Sequence, residues 1–241
     1  MLLRVIDFET DGMPPDARLC EVGWCDVRTY DDDPAEIGDP IGVLVNPNRP
    51  MPPEARAIHH ISDADLVGAP EIGAGLMKLS AGEPDIFVAH NAKFEQEFYT
   101  GGGKPWICTL KVARRIWPEC PNHTNQCLRY WLGIELEDAL AMPPHRAAPD
   151  AYVTAHILLA MIQHASFEQM IEWSSAPSLL PRVTFGKYRG QDWSALPPDY
   201  LSWLVNKSDM DVDTKFTAKH HLDQRRRGGG IDRHLGRNAR K

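Results

Sequence analysis

Residues 2–12 read LLRVIDFETDG. Leu2, Leu3, Val5 and Ile6 form the short apolar run of a buried strand, and the run ends by setting Asp7 and Glu9 two residues apart. Side chains alternate faces along a strand, so Asp7 and Glu9 point one way while Ile6 and Phe8 point the other. Two carboxylates on one small patch raise each other's pKa unless water or a cation neutralises them. The pattern calls for positive charge at the end of this strand.

Outward from it, EVGWCDVRTY (21–30) and IGVLVNP (41–47) read as two further strands, separated by the acidic loop DDDPAEIGDP (31–40); a three-strand meander results. Residues 51–82 read as short helices around turns. DIFVAHN (85–91) reads as a fourth, buried strand, followed by a helix over 92–99 that GGG (101–103) stops. PWICTLKVARRIWP (105–118) suggests a short strand and then a helix, and NQCLRYWLGI (125–134) another helix ending at Gly133. The strongest helical pattern is PDAYVTAHILLAMIQHA (149–165), with Pro149 at its first position and Tyr152, Ala155, Leu159 and Ile162 on one face. Strands followed by mixed elements predict an α/β fold with helices on a mixed sheet, over residues 1–175.

From about Leu179 the character changes. VTFGKYRGQDWSALPPDYLSWLVN (183–206) carries a Gly-punctuated hairpin signal and then a Pro-initiated helix whose Tyr200, Leu201 and Leu204 cover it. Residues 179–222 are predicted to form a small α+β unit. Residues 223–241, rich in Arg with three consecutive glycines, are expected to be a disordered basic tail.

The net charge of −7 hides an asymmetry: from Lys215 onward nine Lys or Arg face Asp223 and Asp232, a local +7 that leaves −14 on the rest. There is no signal-peptide pattern and no apolar run long enough to span a membrane, so a soluble cytoplasmic protein without membrane contact is expected. Five cysteines, an odd number spread along the chain, argue against a disulfide framework and for free thiols. CPNHTNQC (120–127) brings Cys120, His123 and Cys127 close enough for half a zinc site, but without a fourth ligand for a tetrahedral centre.

Two more acidic stretches stand where strands or loops meet helices: HNAKFE (90–95) with Glu95, and HRAAPD (145–150) with His145 and Asp150. Asp7, Glu9, Glu95 and Asp150 are hard oxygen donors suited to Mg²⁺, with Mn²⁺ as a substitute, and His145 is a base that titrates near neutrality. Spacing alone does not join four scattered acids. DFET with its glycine, HNAKFE and HRAAPD, in this order, resemble the three motifs of the DEDDh 3'-5' exonucleases, a DnaQ-like group with the ribonuclease H-like fold; RAIHHIS, WICTLKVARRIWP and VTFGKYRG resemble one branch of that group, and this closer likeness runs from Leu2 to about Leu222.

That resemblance implies a two-ion site held by Asp7, Glu9, Glu95 and Asp150, with His145 as general base, acting on DNA with a free 3' end, single-stranded or frayed. It further implies an apolar wedge from Ile58 and a polar contact from His59 near the terminal nucleotide; Phe8 and Phe94 are candidate aromatic platforms for a splayed base, and Asn91 and Thr10 candidate polar contacts beside the metals. Lys111, Arg114 and Arg115, on one side of a predicted helix, are candidates for tracking phosphates. Glu95 departs from the family, which has aspartate there, and the extra methylene adds about 1.5 Å of reach. Two alternatives stand beside a deoxyribonuclease: an RNA 3'-end trimming enzyme like RNase T, and a nucleic-acid-binding protein whose site Glu95 has weakened.

Overall fold

The computed structural model describes residues 1–31 and 33–235, with side chains as far as Arg227. They fall into two compact units: residues 1–116 with 120–175, and residues 117–119 with the chain from 176 onward.

In the first unit the elements run β1 (Leu2–Thr10), β2 (Leu19–Arg28), β3 (Glu36–Ile37), β4 (Ile41–Leu44), α1 (Pro53–His59), α2 (Ile72–Lys78), β5 (Ile86–Ala89), α3 (Lys93–Gln96), β6 (Trp106–Cys108), α4 (Thr109–Ile116), α5 (Asn125–Trp131), α6 (Asp138–Ala141), α7 (Ala147–Met161) and α8 (Phe167–Ser175). The strand order is β3-β2-β1-β5-β6, with β4 also on β2. β2 is antiparallel to β1, β3 and β4, whereas β5 is parallel to β1 and β6 to β5. The opening stretch is thus the central strand of a mixed sheet. Ile6, Phe8, Val22, Trp24, Phe87 and Trp106 are buried together in the core beside it.

Two helices differ from the sequence expectation. α3 is only one turn, because after Gln96 the backbone tightens: Phe98 N–H bonds to Glu95 O. α7 begins at Ala147, two residues before Pro149, which sits among the first turn's unpaired N–H positions. Its buried side is also not the predicted one. Ala155 of the predicted face is buried, but so are Ala151, Thr154, Leu158 and Met161, while Tyr152, Leu159 and Ile162 are half-buried, because the helix is enclosed by β1 and β2 on one side and α4, α5 and α6 on others.

In the second unit the expected hairpin is reduced to one bridge, Arg182 with Asp192, around a single 3₁₀ turn at Gly186–Tyr188. The helices α9 (Pro198–Asn206) and α10 (Val212–Leu235) follow. Trp193, Leu196, Leu201, Leu204 and Ala218 form its core. α10 carries helical backbone into the stretch read from sequence as tail; residues 236–241 lie outside the described residues. No described helix is long and apolar enough to cross a membrane.

Candidate active site

The antiparallel register puts Asp7 opposite Gly23 and Glu9 opposite Glu21. Gly23 matters because helix α7 starts directly over it. A Cβ on Gly23 would lie 2.3 Å from the carbonyl carbon of Ala147. Lacking one, β2 admits the first turn of α7 to the carboxylate end of β1.

Glu21, buried, then fastens that turn. Its carboxylate accepts from Arg146 Nε at 2.9 Å, Arg146 Nη2 at 2.8 Å and the Ala147 N–H at 3.0 Å. One turn on, Asp150 accepts the His145 N–H at 2.7 Å, with His145 in the left-handed region at φ 60°. Asp150 also accepts from Gln126 Nε2 of α5 at 3.4 Å. Asp7, Glu9 and Asp150 consequently offer oxygens all within 4.8 Å of one another.

The fourth acid comes from the other side of β1. After β5, Asn91 turns the chain at φ 73° and α3 presents Glu95, only 2% exposed. Its Oε2 is buried with no hydrogen-bond partner, and Glu95 lines the same cleft as the other three. It does not belong to the group within 4.8 Å. The cleft holds about 390 Å³.

Electrostatics follow from this crowding. Burial pushes the Asp7 carboxyl well above its ordinary range, and Asp150, Glu9, Glu95 and Glu21 push it further. Glu9 is raised to about 8 by burial and then by Asp150 and Glu21, with Arg146 opposing. Glu95 is raised to about 8, mainly by burial. Asp150 is raised by burial, against the pull of the His145 N–H. Four carboxylates held with one cationic group on their flank, and one buried oxygen unpaired, make a donor set that fits hard divalent cations.

A family model described as "RNase_T: Exonuclease" matches residues 5–158. The chain belongs to this exonuclease family. It is 34% identical over 228 residues to exodeoxyribonuclease 10 of Escherichia coli strain K12, which covers 92% of this chain and 99% of that protein. Among solved structures it resembles Exonuclease X in complex with 5' overhanging duplex DNA (TM-score 0.61, 32% identity, 71% of this chain and 99% of the other). The nuclease domain of 3'hExo, a DEDDh family member bound to rAMP, shares the fold (TM-score 0.53, 18% identity, 67% of this chain and 92% of the other).

In this exonuclease, all the residues expected at the site line the one cleft: Asp7, Phe8, Glu9, Thr10, Ile58, His59, Asn91, Phe94, Glu95, His145 and Asp150. They differ in how much they offer to a substrate. Ile58 is 52% exposed and Asn91 is exposed. Phe94 is half-buried and packs edge-on against Phe98, whose ring centroid is 5.4 Å away. Phe8 is buried, and the Thr10 hydroxyl donates to Gly12 O. His59 is buried, its Nδ1 accepting the Ile61 N–H and its Nε2 3.8 Å from Cys20 Sγ.

One expectation is corrected. Lys111 Nζ donates to Ser174 O, and the Arg115 guanidinium lies 5.5 Å from the Trp173 ring centre, so these two cations are engaged with α8. Cys120, His123 and Cys127 are not grouped as metal donors among the described residues, and Cys120 Sγ donates to Asn122 O. Sequence reasoning missed Glu21, Gly23, Gln126 and His90. His90 lines the cleft wedged between Thr109 Oγ1 and His123 O at 2.9 Å each, and burial pushes its pKa down to about 4.

Proposed function

We propose that this chain is a divalent-metal-dependent 3'-5' exonuclease releasing nucleoside 5'-monophosphates from DNA 3' ends. The observation that carries the reading is the meeting of Asp7, Glu9 and Asp150, from stretches more than 140 residues apart in the sequence, within 4.8 Å. Those three residues would hold the ions, Mg²⁺ or in its place Mn²⁺, with Glu95 completing the set for a second ion. Ions bound there supply positive charge to the scissile phosphate and acidify the attacking water.

The protein's own groups do the rest. His145, anchored through its N–H to Asp150, takes a proton from the water at its imidazole, a role worth about 10²- to 10⁴-fold. The water oxygen bonds to phosphorus and the bond from phosphorus to the 3' oxygen breaks; the 3'-oxyanion of the shortened strand takes a proton from solvent to become a hydroxyl, and His145 returns its proton to solvent. Ile58 supplies an apolar wedge at the terminal base, Phe94 a ring wall, and Asn91 and Thr10 polar contacts, while the buried Phe8 and His59 back the cleft from within the core. DNA is favoured over RNA by the likeness to exodeoxyribonuclease 10 over nearly its whole length. A cytoplasmic setting, with its five cysteines as thiols, fits an odd number of cysteines spread along the chain.

The test is incubation of 3'-labelled and 5'-labelled oligonucleotides, DNA beside RNA of the same sequence, with Mg²⁺ or Mn²⁺. Stepwise shortening of DNA from the 3' end, absent in His145→Ala and Asp7→Ala, is the expected result. Faster RNA trimming would shift the substrate class. Binding without any release of mononucleotides would make the chain a binding protein.

A further inference from the structure

The second unit carries a row of aromatic rings that its core covers only in part. Tyr188 and Tyr200 have ring centroids 4.7 Å apart, and Tyr200 and Trp203 lie 5.6 Å apart at an interplanar angle of 22°. Tyr188 and Tyr200 are half-buried against the core, whereas Trp203 is 45% exposed. A tryptophan that served only packing would bury most of its large apolar surface.

Cations stand at the row. Lys187 Nζ is 4.9 Å from the Tyr188 ring centre and 6.0 Å from that of Tyr200. One turn beyond Trp203, Lys207 caps α9 with its N–H on Trp203 O. The nearest acid in sequence, Asp199, sits about 100° around the helix from Tyr200. Charge follows the same division: residues 176–241 hold thirteen Lys or Arg against seven Asp, a net +6, while the rest of the chain carries −13. A polyanion is therefore drawn to this part and repelled by the rest.

We propose that the row Lys187–Tyr188–Tyr200–Trp203 is a binding surface for single-stranded nucleic acid. A base stacks on the open face of Trp203, which Tyr200 backs from behind, and Lys187 pairs with a backbone phosphate. The near-parallel Tyr200–Trp203 pair, with Lys187 at 6.0 Å from the Tyr200 ring centre, suits bases, whose π faces are alike, and so gives grip without sequence preference. The surface presumes a nucleic-acid substrate and adds to the exonuclease reading a hold on the strand outside the cleft.

The experiment is fluorescence anisotropy of labelled dT20 with the full chain in EDTA, where no strand is cut. Trp203→Ala is expected to weaken binding roughly 5- to 100-fold and Trp203→Phe much less. Lys187→Gln is expected to flatten the slope of log affinity against log salt by about 0.7. Thermal melting at the wild-type temperature certifies that each variant is folded. A folded Trp203→Ala that binds dT20 as the wild type does would overturn the proposal. Hydrolysis of the p-nitrophenyl ester of thymidine 5'-monophosphate by the wild type in Mn²⁺ separately reports on the cleft, so failure of the exonuclease reading is told apart from failure of this one.

Discussion

Glu21 and Arg146, 125 residues apart in the chain, meet in a two-pronged ion pair beside the candidate metal carboxylates. Glu21 is the strand partner of Glu9, and Arg146 sits between His145 and the first turn of α7. The pair therefore ties the two halves of the acidic site together. Replacing Glu21 by alanine strips the acceptor from Arg146 and from the Ala147 N–H. Charge-assisted hydrogen bonds of this kind contribute about 1.5–3 kcal/mol. Displacement of His145 and Asp150 by even an ångström costs about 100-fold in rate. Urea unfolding and steady-state kinetics of Glu21→Ala should show both losses; an unchanged kcat in a folded variant would remove Glu21 from the positioning of the site.

Gly23 is expected to tolerate no side chain. In Gly23→Ala the new carbon meets the Ala147 backbone, which, unlike a side-chain tip, has no way to swing aside. Overpacking ordinarily costs about 1–3 kcal/mol, and a backbone obstacle puts this variant at or above the upper end. Gly73→Ala in α2, where nothing lies within 4 Å, is the matched control. It is expected to stabilise by about 0.5–1 kcal/mol. Equal effects of the two changes on denaturation midpoints would contradict the close approach of α7 to β2.

Metal and pH are expected to act together on stability. Glu9 and Glu95 have folded-state pKa values of about 8, above the ordinary carboxylate value near 4.5. Between those two pH values the folded protein holds protons that the unfolded chain has released, so the metal-free protein loses stability as pH rises through this window. A divalent cation replaces those protons. The rise in melting temperature on adding Mg²⁺ should grow steadily from pH 6 to pH 9, and a constant or shrinking rise would refute the assignment.

Glu95→Gln should separate stability from activity. The amide removes a buried charge whose Oε2 has no partner, so at pH 9 without metal the variant is expected to melt above the wild type. Its exonuclease rate is expected to fall at least about 10²-fold, because an amide is a poor ligand for a hard ion. A variant that is both less stable at pH 9 and fully active would show that Glu95 belongs to the core instead of the site.

Much of this site was legible because the strand alternation at Asp7 and Glu9, and the short motifs around Glu95 and His145, are local patterns. The clamp was not. Glu21 is one acid in a strand, and nothing nearby in sequence announces a partner 125 residues away. Gly23 carries no pattern of its own; its role appears only when α7 lies over it. The same long-range packing turned the buried side of α7 away from the Tyr152 and Ile162 stripe and drew Lys111 and Arg115 to α8.

Calorimetric titration of Mn²⁺ into the metal-free full chain at pH 8, with Asp7→Asn beside the wild type, measures the central claim without relying on catalysis. The wild type should bind the ion with release of protons, and Asp7→Asn, folded as judged by melting, should bind it at least tenfold more weakly. Equal affinity in the two proteins would mean that the acidic cluster at the end of β1 is not a metal seat.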